Sequence, residues 1–348
     1  MVVDDARSVH FSDPERLQTE LLQVLRDAHI VESGPEGDGA SLELLQLSGA
    51  MTNVIYHCSV FLRGSEKAST QLLVRFYGSG TEQFFARNDE IHVLKALSAR
   101  GFEPQLLCCF ANGRVESWIG DALPASTVRF RDPPLQRMLA KQLYTLHTAI
   151  PLPVQEDSNR SSSDALTIMA RIEMWANVAR KEMVAESFSF DIDSAVASLR
   201  NSLPPSPVVF AHCDLQPNNI MISDDFSKLY LIDFEYSGHV ERGFDIANHF
   251  CEWMSEFDNE EKPHVLHFDR LPTTAEASLF CRSYLECGSS MGSVPDDAVA
   301  ALVEEVRPFM RASHLMWGLW GMIQSKQSNI GFDFSAYARQ RLWMFSGP

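Results

Sequence analysis

Apolar positions recur at helical spacing in "SDPERLQTELLQVLRDAH", residues 12–29, where Ser12 or Asp13 caps the start and Pro14 fits the first turn. The Gly, Pro and Ser content of "ESGPEGDGAS", 32–41, predicts a loop. "LELLQLSGAMTNVIYHCSVFL", 42–62, reads as strand, tight turn and strand, with Gly49 and Ala50 at the turn. "QLLVRFYG", 71–78, is a further strand closed by Gly78. The pattern then switches to a helix over 82–101 with a glycine stop at Gly101. "PQLLCCFANGRVESWI", 104–119, predicts a hairpin with Asn112-Gly113 at its turn.

Downstream the helical period dominates. It predicts an amphipathic helix at 134–150, a polar loop at 157–165, helices over 164–186 and 191–203, and a helical last third from 243 that includes 311–327. Two apolar stretches interrupt it: "VVFAHCDLQPNNIMI", 208–222, and "KLYLIDFEYSG", 228–238. The first reads as two short strands around a polar knot, the second as a strand ending in acids. The expectation is an α+β fold of two lobes: an antiparallel β lobe with a leading helix, 1–119, and a mainly helical lobe, 120–348.

Composition narrows the chemistry. The chain has 348 residues, 45% of them hydrophobic, which is enough for two cores. No apolar run is long enough to cross a bilayer, and the acid-containing start lacks a signal-peptide core, so no stable membrane insertion is expected. Seven scattered cysteines without a CxxC pair read as free thiols in a reducing compartment, the cytoplasm, and disfavour a zinc site. A formal net charge of −17 argues against nucleic acid and anionic membranes as partners. It serves solubility, or attracts a cationic substrate to an acidic cleft.

The polar knot carries the sharpest signal. His212, Asp214 and Asn219 form an HxDxxxxN pattern, and Asp233 follows in Ile232-Asp233-Phe234-Glu235 at the end of the next apolar run. A carboxylate that accepts a hydroxyl proton, with an amide oxygen and a second carboxylate that hold Mg²⁺ against phosphates, is what phosphoryl transfer from a nucleotide requires. The plainer alternative is an Asx-turn in which Asn219 and Asp233 only cap backbone groups. "LSGAMTN", 47–53, fits a loop that folds over phosphates through backbone N–H groups and the side chains of Ser48, Thr52 or Asn53; a simple hairpin turn fits it equally. Arg75 is the candidate basic residue facing the phosphates, with Glu90 as its partner, or else an exposed strand charge.

Together "VVFAHCDLQPNNIMI" and "LYLIDFEYSGHVERGFDIANHFCEWM" resemble the signature segments of the choline/ethanolamine kinases. That family has the eukaryotic protein kinase-like fold and aminoglycoside phosphotransferases as cousins. The resemblance runs over about residues 42–343, allowing for insertions and gaps. It implies an ATP- and Mg²⁺-dependent enzyme that phosphorylates a small amino alcohol, the first step of phospholipid head-group synthesis. Asp214 would be the catalytic base. Asn219 and Asp233 would hold Mg²⁺, and Gln216 would meet the nucleotide-side phosphates or the loop. The segment with Ser48, Gly49, Thr52 and Asn53 would cover ATP, Arg75 would bind its phosphates, and Glu116 to Ile119 would form the hinge beside adenine. Asp245 and His212 would brace the catalytic loop.

A quaternary ammonium has no N–H to donate and needs aromatic faces and nearby carboxylates. Trp317 and Trp320 stand at i and i+3 on one helix face. The resemblance adds Glu235, Glu252, Trp253 and Tyr337 to the walls of that site; an ordinary tryptophan core is the alternative. There are departures. Cys213 stands where the family usually has Asn, Ala50 replaces a common glycine, and "WIGDAL" lacks the Pro and Arg that often follow the hinge. Gln216 and "FCEWM" look like the choline branch, whereas "IGFDFSAYA" looks closer to the ethanolamine branch. Choline is the favoured substrate with ethanolamine second. An ethanolamine-preferring kinase and an aminoglycoside phosphotransferase-like enzyme remain alternatives. A non-catalytic scaffold is disfavoured by the intact Asp214, Asn219 and Asp233, and a homodimer stays open.

Overall fold

The computed structural model describes residues 2–5, 7–32, 39–47, 53–77, 87–120, 122–125, 129–152, 167–181, 188–257, 259–289, 293–328 and 330–347. The chain divides into two units, Met1–Asp121 and Ala122–Pro348.

The first unit contains β1 (Val3–Asp5), α1 (Pro14–Asp27), β2 (Ser41–Leu47), β3 (Asn53–Phe61), β4 (Thr70–Tyr77), α2 (Arg87–Ser98), β5 (Leu106–Phe110) and β6 (Gly113–Ser117). The strands form one sheet in the order β1-β5-β6-β4-β3-β2. It is antiparallel except where β1 joins β5 in parallel. Three residues are too few to show a period, which is why β1 is invisible in the sequence. Of the two candidate caps for α1, Asp13 is used: its carboxylate accepts from the N–H groups of Glu15 and Arg16 at 3.2 and 3.3 Å. The apolar stripe of α1, with Leu21 and Leu25, packs into one core with Val60, Leu72, Val74, Phe76 and Val115 of the sheet.

The β5–β6 turn differs from expectation. Phe110 pairs with Gly113, so the turn residues are Ala111 and Asn112, one position earlier. A Cβ at 113 would lie 2.3 Å from Phe110 Cζ and 2.4 Å from the Arg75 carbonyl oxygen. Glycine there serves close packing within the strand, not turn conformation. The Asn112 amide instead pins the chain start, bonding Val9 N and O at 2.9 and 2.8 Å. The 48–52 turn, Gly78 and residues 79–86 lie outside the described residues, as does the polar loop 157–165.

The second unit contains β7 (Leu123–Pro124), α3 (Pro133–Ala149), α4 (Ile168–Lys181), α5 (Ile192–Ser202), β8 (Val208–Ala211), β9 (Ile220–Ile222), β10 (Leu229–Leu231), β11 (Gly238–Glu241), α6 (Arg242–Glu252), α7 (Thr274–Gly288), α8 (Asp296–Val306), α9 (Phe309–Gln327) and α10 (Phe334–Ser346). The strands flanking the polar knot belong to different ribbons: β8 pairs with β11, whereas β9 lies between β10 and β7. The second apolar stretch is not one strand, because β10 stops at Leu231 and the chain turns before β11. Helix α9 is the hub of this unit, with Leu315, Met316, Leu319, Met322 and Ile323 wholly buried, and it packs against α4, α6 and α10. Among the described residues no helix is long and apolar enough to cross a membrane.

Candidate active site

The polar knot between β8 and β9 is held from below by Asp245 on α6. Its two carboxylate oxygens accept from His212 N at 2.8 Å and Cys213 N at 2.7 Å, and His147 Nε2 sits 2.9 Å from the first of them. His147 Nδ1 in turn meets the Tyr284 hydroxyl at 2.8 Å. Burial works against the Asp245 charge, but the bonds from His147 and His212 outweigh it and hold the carboxyl below its usual range. Cys213 takes a left-handed φ of 67°, which lets consecutive N–H groups converge on one carboxylate, while Asn248 Nδ2 donates to its carbonyl at 3.1 Å. The His212 ring is buried, its pKa depressed by desolvation, and therefore neutral. Its partners fix the tautomer: Nε2–H donates to the Ile232 carbonyl at 3.0 Å, and Nδ1 accepts from Asp214 N at 3.3 Å.

Asp214, Asn219 and Asp233 are brought together. Asn219 Nδ2 donates to the Asp214 carbonyl at 2.9 Å and to its carboxylate at 2.8 Å. The amide nitrogen is thus committed, and Asn219 Oδ1 is the end left to meet a cation. Ile232 N donates to the Asn219 carbonyl at 3.0 Å, which sets Asp233 beside it. Asp233 has a φ of 66°, a conformation aspartate tolerates better than most residues. Asp214 is raised well above the ordinary carboxylate range, first by burial, then by the charges of Glu252 and Asp233. Gln216 Oε1 is buried with no hydrogen-bond partner among the described residues.

An aromatic group adjoins this loop. The rings of Trp317 and Trp320 cross at 77° with centroids 5.4 Å apart. Trp320 also meets Phe334 at 5.5 Å and Tyr337 at 6.2 Å. Tyr236, which sequence reasoning missed, completes the group: its ring lies 5.2 Å from Trp317, and its hydroxyl accepts from Trp320 Nε1 at 3.0 Å. Burial raises Tyr236 well above the usual phenol range, with Glu235 and Asp214 adding to the effect, so these carboxylates lie in the field of the aromatic group. Trp317 Nε1 donates to Asn248 Oδ1 at 2.7 Å, and Trp320 keeps a partly exposed face.

Two expected wall residues sit differently. The Glu252 carboxylate bonds Arg341 Nη2 at 2.5 Å and Ser255 Oγ at 2.8 Å, so its charge is already balanced by a buried guanidinium. Trp253 lies in a separate aromatic set with Phe130, His249 and Phe250, under the Arg131 guanidinium, and donates from Nε1 to His249 at 3.2 Å. Position 253 follows the last residue of α6. Arg341 was missed as well; the signals that could have found it and Tyr236 are the i, i+4 spacing of Tyr337 and Arg341 and the aromatic directly after Asp233-Phe234-Glu235.

In the first unit the expected Arg75–Glu90 pair does not form. Glu90 takes Arg114 Nη2 at 2.8 Å, Arg114 Nε bonds Glu116 at 2.5 Å, and Arg75 Nε lies 3.9 Å from Glu116. The register explains this: Arg75 and Arg114 are opposite each other on β4 and β6, and α2 reaches the second. Burial opposes the Glu116 charge, but Arg114 and Arg75 hold its carboxyl below the usual range. The Glu116 side chain is therefore committed to Arg114 and Arg75. Ile119 follows β6 half-buried, and Trp118 stacks on His57 at 4.2 Å. Asn53 opens β3 opposite Tyr77, while Ser48, Gly49 and Thr52 lie outside the described residues.

A β-rich unit with two helices among its strands, and a helical unit carrying a braced HxDxxxxN loop, define a phosphotransferase of protein kinase-like fold. The family model "Choline/ethanolamine kinase" matches residues 44–346, and the chain belongs to that family. It is 34% identical over 310 residues to "Probable choline kinase 2" of Arabidopsis thaliana, covering 87% of this chain and 85% of the relative. It is 30% identical over 317 residues to the human "Choline/ethanolamine kinase", covering 87% and 79%. Among solved structures, an ethanolamine kinase of Plasmodium vivax superposes with a TM-score of 0.77 at 25% identity, covering 97% of this chain and 90% of that one.

Proposed function

We propose that this chain transfers the γ-phosphoryl group of ATP to the hydroxyl of choline, with ethanolamine as a second substrate, and that Mg²⁺ is required. The observation that supports this best is the Asp214–Asn219–Asp233 constellation beside the aromatic group of Tyr236, Trp317, Trp320 and Tyr337. Asp214 accepts the hydroxyl proton as the substrate oxygen bonds to phosphorus and the bridging P–O bond to ADP breaks. Its proton affinity is lifted by burial and by neighbouring acids, the direction a general base needs. Asn219 Oδ1 and the Asp233 carboxylate are hard oxygen donors, one neutral and one anionic, and suit a magnesium ion that takes its other ligands from phosphates and water. That ion supplies positive charge against the phosphates. In the first unit Arg75 is the candidate for binding phosphates, and in the second the aromatic faces take the trimethylammonium head.

The acceptor is thus a small molecule and not a nucleic acid. The test is ADP release by the purified protein with ATP, Mg²⁺ and either amine. Turnover well above the ATP-only blank is expected, faster with choline. No turnover with either amine overturns the reading.

A further inference from the structure

We propose that Arg341 is a positioning residue that makes the acceptor site favour a quaternary over a primary ammonium. The inference rests on the acceptor site proposed above. Arg341 is wholly buried, and its fork is committed to two groups. Nε donates to the Tyr337 hydroxyl at 3.0 Å, Nη2 donates to Glu252 Oε1 at 2.5 Å, and the guanidinium lies 5.2 Å from the Tyr337 ring centre. Nη1 has no hydrogen-bond partner among the described residues. One planar cation therefore fixes both an aromatic wall and the buried carboxylate behind it.

The two head groups differ in what they ask of such a site. A trimethylammonium presents methyl groups and diffuse charge, and aromatic faces at the right positions satisfy it. A primary ammonium brings three N–H donors, each of which needs an acceptor once water is gone. Glu252 would be a natural acceptor, but its Oε1 already takes Arg341 and its Oε2 takes Ser255. Its charge is matched by the same guanidinium. With the Glu252 charge balanced and Tyr337 held, the wall that Arg341 backs offers an aromatic face in preference to a charged acceptor; the acids in the field of the group are Glu235 and Asp214. Lysine at 341 keeps a cation but, as a point charge, cannot span both partners as the fork does.

The experiment compares wild type, Arg341→Lys and Tyr337→Phe. Dissociation constants for choline and ethanolamine are read from tryptophan fluorescence without nucleotide, and kcat and KM for each amine are measured beside them. Wild type binds choline more tightly. In Arg341→Lys the choline dissociation constant rises about tenfold, the size of one desolvated cation–π contact, while that for ethanolamine moves less than about threefold. The choline KM rises more than its kcat falls. Equal weakening of both amines, an unchanged preference, or a wild type that favours ethanolamine overturns the inference. Should Arg341→Lys fail to fold, Tyr337→Phe decides. It keeps the ring and the Arg341–Glu252 pair but removes the tether, and a preference unchanged there also overturns the inference. A wild type that binds choline but does not phosphorylate it strikes the proposed reaction and leaves this comparison readable.

Discussion

At the scale of single residues, Asp214 sits under opposing demands. Burial and the charges of Glu252 and Asp233 make its ionised form costly, while the Asn219 amide donates to its carboxylate and offsets part of that cost. The sign follows. A carboxyl whose folded pKa is raised contributes stability that is lost as pH rises through that value, so ionising Asp214 costs the fold stability. Asp214→Asn should therefore lower kcat by about 10²–10⁴-fold, the usual worth of a general base, yet leave the melting temperature without Mg²⁺ or nucleotide equal to or above wild type. Retained turnover would reject the base, and a large fall in melting temperature would reject the electrostatic account. Asp214, Asn219 and Asp233 were legible because their spacing is local and their chemistry specific. The Arg75 partner was not: which of two arginines α2 reaches depends on β4–β6 register, and nothing in the spacing of Arg75 and Glu90 encodes that. Cys213 has a left-handed φ that Asn adopts more easily, a physical reason for Asn to suit this position.

At the scale of elements, the acceptor side depends on how closely α9 and α10 approach. Gly318 and Gly321 lie on the α9 face toward α10. A Cβ at 318 would lie 2.6 Å from Leu342 Cδ2; one at 321 would lie 3.1 Å from both Ala338 Cβ and Tyr337 Cδ1. These glycines are the first and fourth letters of "GLWG", whose tryptophan, Trp320, meets Tyr337 across the gap. Gly321→Val should push α10 outward at a cost of about 1–3 kcal/mol, as overpacking does, and raise the choline KM more than it lowers kcat. Melting curves and steady-state kinetics check both parts; an unchanged KM would show that the α9–α10 spacing does not set the site. The helices and most strands were legible because their periods of 3.6 and 2 are long enough to count. Strand β1, the split of the 228–238 stretch and the pairing of β8 with β11 were not, because each is a short segment whose partner is distant in sequence.

At the scale of the whole molecule, two opposing electrostatic trends meet on acidification, and buried histidines decide the outcome. The chain carries a formal net charge of −17 and has a pI near 5.0, so lowering the pH relieves self-repulsion and by itself favours the folded state. Against this, His249 is buried beside Gln136 Oε1 at 2.9 Å and under Trp253, and burial pushes its pKa down to about 3. His314 is buried on α9, 3.7 Å from Cys251 Sγ, and burial together with the Arg341 charge holds it well below the usual value. Both are neutral in the fold, and both take up a proton near pH 6.5 once unfolded. The unfolded state thus binds more protons below that pH, so stability present above pH 6.5 is lost as the pH falls toward the folded values. Each histidine contributes a slope of about 1.4 kcal/mol per pH unit, roughly 3 for the pair, which is large against the diffuse surface term. Asp245, held low by His147 and His212, adds its own loss only below about pH 4, the ordinary aspartate value. The melting temperature should therefore drop steadily from pH 7 to pH 5 even as the net charge approaches zero, and His249→Gln should flatten part of that slope. A melting temperature that holds or rises over this range would mean that these two histidines do not stay neutral in the fold.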